Sequence, residues 1–426
     1  LFEILFVNPS CLLQKPKNFK IVLKKVILIL PYSSLFPLVN GGMIRYINIL
    51  NQLAKYTSLT VMTFANSAEI EILINEFPIL NDVNFISINN EEETPFSLLP
   101  KKIAVAIYGR VLSGRMFKQS NGVLLSIFPK LNSLLNHSQF DIVIYENLAS
   151  LDIARKIKSK YPKSLQIYDA HNFDTELALD QYKINEISLR NYLNIKKTEA
   201  KLGKYIDVLW TCSDREKKLF QDANKNLIAQ IDIIPNGAVL PEIKVKIQEK
   251  GPKKLLFVGS LNYSPNDIGL QWLIASVLPK ISQNFKLQII GSGLPSIELI
   301  ELIQKSPSIE FLGFVESLES YYENTDIVVI PILTGSGTRL KALEAMSYQC
   351  AIISTSKGVE GLEITDQVII RETPIEFANT IDEILLNSEQ KVSLGIKARK
   401  LIADRYSWDI IGKKIFKSIS SINAEK

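Results

Sequence analysis

The residues with the clearest chemical potential lie in the segment GSGTRLKALEAM, at positions 335–346. This segment follows an apolar run, IVVIP at 327–331, so the sequence predicts a buried strand, a glycine loop and a helix that opens at Thr338. Gly335 and Gly337 allow positive φ angles and let a ligand approach the backbone amides closely. The strand-to-helix junction is therefore predicted to bind an anion.

Charged side chains follow this loop at short spacing. Arg339 and Lys341 place two positive charges where the amino end of a helix already favours an anion. Glu344, about one turn further along, can accept hydrogen bonds from hydroxyls. A diphosphate and a ribose present these two kinds of group, so the pattern indicates a sugar nucleotide. Two plainer interpretations stay open: the glycines only join a strand to a packed helix, and Glu344 only pairs with Lys341 at i, i+3.

Length and composition indicate a globular enzyme of two domains. A chain of 426 residues, with 46% apolar and 22% charged residues, is long enough for two buried cores. The net charge of +5 is small and scattered, and no nucleic-acid motif is visible, so no nucleic-acid partner is expected. No apolar run approaches the roughly 18 residues of a membrane span, which predicts a soluble protein, and three cysteines without disulfide spacing predict a reducing cytoplasm.

Cysteine and histidine usage argues against a metal site. Cys11, Cys212 and Cys350 have neither the spacing of a disulfide framework nor that of a zinc site. His137 and His171 are the only histidines, and no Asp-x-Asp pair follows a predicted strand. We therefore expect that no metal is bound.

Apolar runs typical of buried parallel strands alternate with helical patterns in two series. The first series lies at 26–30, 59–63, 141–145, 165–168 and 208–212, and the second at 255–258, 287–290, 309–312, 327–330 and 351–354. Continuous Val, Ile and Leu strands separated by helices predict the α/β class, with two doubly wound, Rossmann-like domains. Such sheets bind ligands at the carboxyl ends of their strands, so the two domains are expected to face each other across a cleft.

Changes in composition predict the domain boundaries. The polar, charged stretch PEIKVKIQEKGPKK predicts a linker at 241–253, between an N-terminal domain at 24–240 and a C-terminal domain at 254–406. Residues 407–426 contain a helical apolar stripe and are predicted to form a final helix. Residues 1–23 are expected to be a poorly ordered extension, because no small-residue cleavage site of a signal peptide precedes the first strand.

Two loops of the predicted N-terminal domain also follow strands. Gly41 and Gly42 come after the first strand, and DAHN at 169–172 comes after the strand at 165–168. His171 is predicted to open at the cleft, and the alternative is a loop histidine bonded to backbone. The two glycines are alternatively a simple turn. Arg45 either contacts an anionic ligand or is solvated, and the sequence does not decide between them.

A basic and apolar stretch lies at 101–118, and no acidic residue occurs between Glu93 and Asp141. Such a stretch predicts peripheral contact with anionic lipid on the inner face of the membrane. The alternative is a helix that covers the sheet and keeps a solvated basic face.

Nine short segments occur in a recognisable order. They are NGGMIRYINILNQLAK at 40–55, DAHN at 169–172, Ser213 with Glu216, IPNGAV at 234–239, FVGSLNYSPN at 257–266, IIGSG at 289–293, FLGFV at 311–315, GSGTRLKALEAM at 335–346 and RYSWDIIGKKI at 405–415. On these segments the chain resembles a family 4 glycosyltransferase of the GT-B fold, from about Lys24 to Ile422. The ordered set is far more specific than any one segment.

This resemblance implies retaining transfer of a sugar from a nucleoside diphosphate donor to a lipid-linked or polysaccharide acceptor in cell-envelope synthesis, without a metal. It implies that Arg339 and Lys341 act on the diphosphate and that His171 lies beside the donor sugar. It also implies that the final helix braces the first domain. The donor-binding positions implied in this way are Gly41, Gly42, Gly259, Ser260, Gly335, Ser336, Gly337, Thr338, Leu340 and Glu344.

Two departures from the family pattern bear on these expectations. The family has a second glutamate eight positions before Glu344, where this chain has Ser336, so the identity of the sugar is left open. The family's Arg and Lys after the first strand of the second domain fall on Ser260 and Pro265. Two other functions compete with transfer: a sugar-nucleotide epimerase of similar fold, and a non-catalytic scaffold that binds nucleotide sugars.

Overall fold

The described part of the chain forms two compact units. The computed structural model describes residues 23–32, 35, 41–88, 120–146, 148–183, 187–225, 228, 230–243, 251–335 and 339–421. The described residues up to Pro235 and from Gly412 onwards form the N-terminal unit, and Asn236–Ile411 form the C-terminal unit. The predicted extension, apart from Leu23, and the basic stretch at 101–118 lie outside the described residues.

A seven-stranded parallel sheet forms the centre of the N-terminal unit. Its strands are β1 (Lys25–Leu30), β2 (Ser58–Thr63), β3 (Asn84–Ser87), β4 (Ile142–Glu146), β5 (Leu165–Asp169), β6 (Val208–Thr211) and β7 (Gln230–Ile233). Their order is β3-β2-β1-β4-β5-β6-β7, and Val26 of β1 is aligned with Leu59 and Ile142 on its two neighbours. Consecutive residues of β1 from Val26 to Leu30 are fully buried, as expected for a strand covered on both faces.

The C-terminal unit has a parallel sheet of six strands. They are β8 (Lys253–Val258), β9 (Phe285–Ile290), β10 (Ile309–Gly313), β11 (Ile327–Ile330), β12 (Ala351–Ser354) and β13 (Ile369–Ile370), in the order β10-β9-β8-β11-β12-β13. Leu255 and Phe257 belong to one apolar core and Leu256 to another, because successive side chains of a strand point to opposite faces. The predicted α/β class with two doubly wound parallel sheets is confirmed.

Helices connect the strands in both units. In the N-terminal unit they are α1 (Gly41–Tyr56), α2 (Ser67–Glu76), α3 (Ser120–His137), α4 (Leu151–Lys160), α5 (Asp174–Lys183), α6 (Leu189–Glu199) and α7 (Asp214–Asn224). The C-terminal series is α8 (Ser264–Trp272), α9 (Ile297–Lys305), α10 (Glu319–Asn324), α11 (Leu340–Ser347), α12 (Pro374–Leu386), α13 (Ser388–Leu401) and α14 (Trp408–Ser421). Among the described helices, none is both long enough and apolar enough to cross a membrane.

The last part of α14 groups with the N-terminal unit. Ser418 accepts a hydrogen bond from the indole Nε1 of Trp210 at 2.9 Å and donates one to Asp232 at 2.5 Å. Lys24 donates to the carbonyl oxygen of Ile419 at 2.6 Å. Residues from the two ends of the chain's sequence therefore stabilise the same sheet.

Candidate functional site

Three loops at the carboxyl edge of the C-terminal sheet contact one another closely. They follow β8, β9 and β11. A Cβ atom on Gly291 would lie 1.8 Å from the carbonyl oxygen of Gly259, and one on Gly335 would lie 2.8 Å from Cγ of Pro265. Gly335 also has a φ of 91°, a conformation that favours glycine. These glycines thus bring backbone from three loops to one edge, where a parallel sheet presents its ligand site.

Lys341, on the first turn of α11, lies at this edge. Its ammonium donates to Oδ1 of Asn266 at 2.6 Å and lies 4.6 Å from the ring centroid of Phe257. A Cβ atom on Gly259 would lie only 2.6 Å from this nitrogen. Burial, with a smaller effect of the positive charge on Arg339, lowers the pKa of Lys341 to about 7. Among the residues that the structure describes, no carboxylate forms an ion pair with Lys341.

Arg339 is buried immediately before α11. Its Nε donates to the carbonyl oxygen of Lys357 at 3.0 Å, and its Nη2 donates to that of Gly335 at 2.8 Å. These bonds tie the glycine loop to the segment after β12. The predicted contact with a diphosphate stays a prediction, since two of the donors of Arg339 already bind backbone carbonyls.

Glu344 is half-buried on the second turn of α11. It accepts a hydrogen bond from the hydroxyl of Tyr322 at 3.0 Å. Burial raises the pKa of Glu344 to about 7, although the bond from Tyr322 opposes this shift. No ion pair with Lys341 is present between these two described residues, so the plainer interpretation of their i, i+3 spacing does not hold. The predicted contact of this carboxyl group with a ribose hydroxyl stays a prediction.

The other predicted donor contacts fall into three groups. Ser260 donates to Asn262 at 2.5 Å, and its carbonyl oxygen accepts from Asn266, the residue that holds Lys341. Leu340 begins α11, while Gly41 and Gly42 open α1 in the N-terminal unit. Ser336, Gly337 and Thr338 lie outside the described residues.

In the N-terminal unit, a cluster of charged side chains lies at the ends of β4 and β5. Glu146 and Asp169 are the last residues of these strands and are aligned with each other in the sheet. Nε2 of His171 lies 2.6 Å from Oε2 of Glu146. Arg45 on α1 donates to Asp169 through Nε at 3.0 Å and also through Nη2. His171 is therefore bonded to a carboxyl group rather than to backbone, and Arg45 is buried in an ion pair rather than solvated.

The four side chains change one another's ionisation. Burial, with a smaller effect of Asp169, raises the pKa of Glu146 to about 7, and His171 opposes this shift. Burial disfavours the imidazolium, but the hydrogen bond and charge of Glu146 outweigh it and raise the pKa of His171. The carboxylate of Asp169 similarly outweighs the burial of Arg45 and raises the pKa of the guanidinium. Sequence reasoning missed Glu146, although its position directly after the predicted strand at 141–145 was an available signal.

The same cluster contains a possible set of metal ligands. Glu146, Asp169 and His171 offer ligand atoms that lie within 4.8 Å of one another. However, Arg45 bonds to both carboxylate oxygens of Asp169, and Glu146 bonds to Nε2 of His171. The guanidinium of Arg45 already binds Asp169, and the hydrogen bond between Glu146 and His171 occupies their ligand atoms. This arrangement does not suit a metal cation.

Comparison with known proteins finds a family match within the C-terminal unit. Residues 252–387 match the family model Glycosyl transferases group 1. An uncharacterized 44.6 kDa protein in the cps region of Klebsiella pneumoniae is 30% identical over 183 residues, 40% of this chain and 45% of that protein. An uncharacterized glycosyltransferase of Methanocaldococcus jannaschii is 32% identical over 175 residues, 38% of this chain and 43% of that protein. Each match thus spans less than half of the relative.

A likeness over nearly the whole chain is found with solved structures. The structure of HepE from Anabaena in complex with UDP-glucose has a TM-score of 0.62 and 14% identity, and the match covers 93% of this chain and 99% of HepE. At this identity the likeness shows a common fold.

Proposed function

We propose that this chain, which has the GT-B fold and a glycosyl transferases group 1 domain at residues 252–387, transfers a hexose from a nucleoside diphosphate donor. The proposed acceptor is a lipid-linked glycan or polysaccharide of the cell envelope. The proposal includes retention of anomeric configuration, as in family 4 glycosyltransferases, a metal-independent reaction and a cytoplasmic location.

One observation carries the proposal: Lys341 is a half-buried cation without a carboxylate partner among the described residues. Its two neighbours, Asn266 and the ring of Phe257, orient the ammonium but leave its charge uncompensated. Removing a charge from water without an opposite charge is costly, and this cost lowers the pKa of Lys341 to about 7. An anionic ligand at the edge of the sheet would supply the missing charge.

A diphosphate fits this position because its charge grows during the reaction. The bond between the anomeric carbon and the β-phosphate oxygen breaks, and the electron pair leaves with the diphosphate. Lys341 stabilises that charge directly, and Arg339 adds positive potential from the adjoining loop. Glu344, oriented by Tyr322, accepts a ribose hydroxyl. Under retention the acceptor attacks from the face that the diphosphate leaves, so a departing phosphate oxygen is the nearest base for its proton.

The acceptor and the donor class are supported by different comparisons. The Klebsiella relative lies in a cps region, which supports a polysaccharide acceptor. HepE was solved with UDP-glucose, which supports a nucleotide-sugar donor for this fold. His171 would orient the donor sugar, and its exposed fraction of 14% leaves it partly accessible.

The proposal is tested first with a thermal-shift panel of UDP, GDP and ADP sugars. A ligand at 100 times its dissociation constant should stabilise the protein by about 2.7 kcal/mol. The sugar nucleotide that binds is then incubated with the protein, and NMR of the product reports the anomeric configuration. Lys341→Ala should lower turnover on the order of a hundredfold.

Two outcomes would replace this function with another. If the protein binds a donor but neither transfers its sugar nor slowly hydrolyses it, this result would support the scaffold. Inversion of the sugar at C2 would support the epimerase.

A further inference from the structure

We propose that Glu146 is the positioning residue for His171, and that it holds the ring by Nε2 so that Nδ1 is the atom presented to a sugar oxygen. This inference rests on the proposed function for the identity of the ligand only. The pairing itself stands on the N-terminal unit alone.

The contacts of Glu146 differ from those of other buried acids in this unit. Glu199 accepts hydrogen bonds from the backbone amides of Asp174 and Thr175, both at 2.8 Å. Glu216 accepts one from the amide of Cys212 at 3.0 Å. These two carboxyl groups stabilise local backbone structure.

Glu146 has no such structural role for its carboxyl group. The residue is fully buried, its Oε2 lies 2.6 Å from Nε2 of His171, and its Oε1 has no hydrogen-bond partner among the described residues. Burying a carboxyl group for a single contact is costly, so the contact with His171 is what this side chain provides.

The strand register and a neighbouring ion pair keep this contact in place. Glu146 and Asp169 are aligned on adjacent strands, and Asp169 is bonded by two nitrogens of Arg45. His171 is only two residues beyond Asp169, so the bond from Arg45 also limits the movement of the loop. Nδ1 of His171 has no hydrogen-bond partner within the described part of the chain, which leaves it for a ligand.

The number of protons shared by Glu146 and His171 decides whether Nδ1 donates or accepts a hydrogen bond. When the pair holds no extra proton, Glu146 is ionised, the neutral ring has its hydrogen on Nε2, and Nδ1 accepts. One added proton gives either a carboxylate with an imidazolium or a carboxylic acid with the other neutral tautomer. Nδ1 carries a hydrogen in both forms, so it donates to a hydroxyl or other oxygen of the sugar wherever the proton resides.

This change falls near neutral pH. Burial raises the pKa of Glu146 to about 7, and Glu146 raises that of His171, so the pair keeps its extra proton below this range and loses it as pH rises. The titratable and charged groups that face the pair from the described elements are Arg45, Tyr46, Tyr168, Asp169, Asp174 and Cys212. Nδ1 is therefore a donor at acidic to neutral pH and an acceptor at alkaline pH.

Histidine NMR tests the inference directly, because the chain has 2 histidines. The full chain is labelled with ¹⁵N and ¹³C histidine, and both rings are titrated in the wild type and in Glu146→Gln. Losing the carboxylate should lower the pKa of His171 by about one pH unit or more. His137, which is exposed and bonded through Nδ1 to the carbonyl oxygen of Ser133, is the internal reference.

Two further variants separate positioning from general loss of structure. Glu146→Asp keeps the charge and should restore most of the wild-type His171 titration. Glu216→Gln removes another buried acid whose pKa is raised to about 7, but it does not contact the ring. It should move the His171 titration by only a few tenths of a pH unit. An unchanged His171 titration in Glu146→Gln, or an equal change in Glu216→Gln, would overturn the inference.

Kinetics with the sugar nucleotide found in the thermal-shift panel extend the test. Glu146→Gln should lower kcat about tenfold or more with little change in donor KM, and should shift the alkaline limb of the kcat profile to lower pH. An unaltered pH profile would contradict the role of Nδ1. If the wild type binds no sugar nucleotide but the NMR result holds, the proposed function fails while the positioning of His171 stands.

Discussion

Lys341 is the residue on which the proposed chemistry depends. A half-buried lysine with no acid partner in the described part of the chain destabilises the fold, and sites that bind ligands often keep such a cost for the sake of function. Asn266 and Phe257 hold the ammonium in one position before any ligand binds. The energy lost in folding is then recovered when an anion arrives.

Replacing this charge should therefore stabilise the free protein. The folded pKa of Lys341 is about 7, below the ordinary value of 10.5, so the unfolded chain binds more protons between these values and the free energy of unfolding rises with pH through that window. Lys341→Met removes the charge, and urea denaturation at pH 6 should show a gain of roughly 0.5–2 kcal/mol.

A matched control is Lys391→Met. Lys391 forms an ion pair with Asp326 and lowers its pKa, so this variant should lose stability. A loss of stability in Lys341→Met as large as in Lys391→Met would contradict the description of Lys341 as an uncompensated cation.

Donor binding should depend on pH through the same lysine. The charged form binds the diphosphate, and the pKa of Lys341 in the free protein is about 7. Above this pH the affinity for a sugar nucleotide should fall by up to about tenfold per pH unit, because a proton must be taken up on binding. Calorimetry in buffers of different ionisation enthalpy measures that uptake. Affinity that rises between pH 7 and 9 would count against the assignment.

For single residues, the sequence predicted where a side chain lies but not which side chain it contacts. The spacing of Lys341 and Glu344 after a glycine loop predicted that both lie on the early turns of one helix, as the structure has them. Their contacts with Asn266 and Tyr322 join residues 75 and 22 positions apart, and local patterns do not encode such contacts. The same limit explains why Glu146 was missed and why the partner of Arg45 was left open.

Among the elements, the loops of the C-terminal sheet depend on glycine. Gly259 lies beside the ammonium of Lys341 and Nδ2 of Asn266, which would be 2.6 Å and 2.8 Å from an added Cβ atom. A methyl group at this position requires both side chains to shift. The position of the loop after β8 and the position of the cation are thus coupled.

Gly259→Ala should weaken donor binding about tenfold or more, because the ammonium of Lys341 must move. The unit should stay folded, because the atoms that must shift are the ends of two side chains and not backbone atoms. Calorimetric titration with the sugar nucleotide measures this change. Gly251→Ala is the control, since its Cβ atom would meet nothing within 4 Å. Equal affinities of the two variants would show that Gly259 does not set the position of Lys341.

The elements themselves were predictable where they are apolar. The continuous Val, Ile and Leu runs predicted β1 and β11, both of which are buried throughout or nearly so. The edge strands β3, β7 and β13 were not predicted. Asn84–Ser87 and Gln230–Ile233 are only partly buried, so selection for apolar residues is weaker there.

For the molecule as a whole, the end of the chain supports the unit formed by its beginning. Ile415 and Ile419 of α14 are buried, and Ser418 links Trp210 to Asp232. These contacts lie on β6 and β7, at one side of the N-terminal sheet.

Truncation after Ile411 should therefore destabilise the N-terminal unit. Losing the burial of two isoleucine side chains costs about 3–6 kcal/mol of unfolding free energy. This is an upper figure, because unfolded chains also bury some apolar surface. Hydrogen exchange should show lost protection in β6 and β7 and nearly unchanged protection in β8 and β9. Ser418→Ala, which removes only the hydrogen bonds, should cost about 1 kcal/mol. Equal loss of protection in both units would refute this assignment of the helix.

The two-sheet architecture was predictable from the sequence because each sheet is encoded by its own run of strands. The grouping of the described residues from Gly412 onwards with the first unit was not evident from the helical stripe alone, which is compatible with packing on any apolar surface. Long-range bonds such as that between Trp210 and Ser418 specify this grouping.

The most direct test of the central claim is calorimetric titration at pH 6.5 of the wild type and Lys341→Met with the sugar nucleotide selected by the thermal-shift panel. We predict binding by the wild type and at least about a hundredfold weaker binding by the variant, since an interaction with an uncompensated charge is lost. Equal affinity of the two proteins, or no binding of any sugar nucleotide by the wild type, would contradict the account.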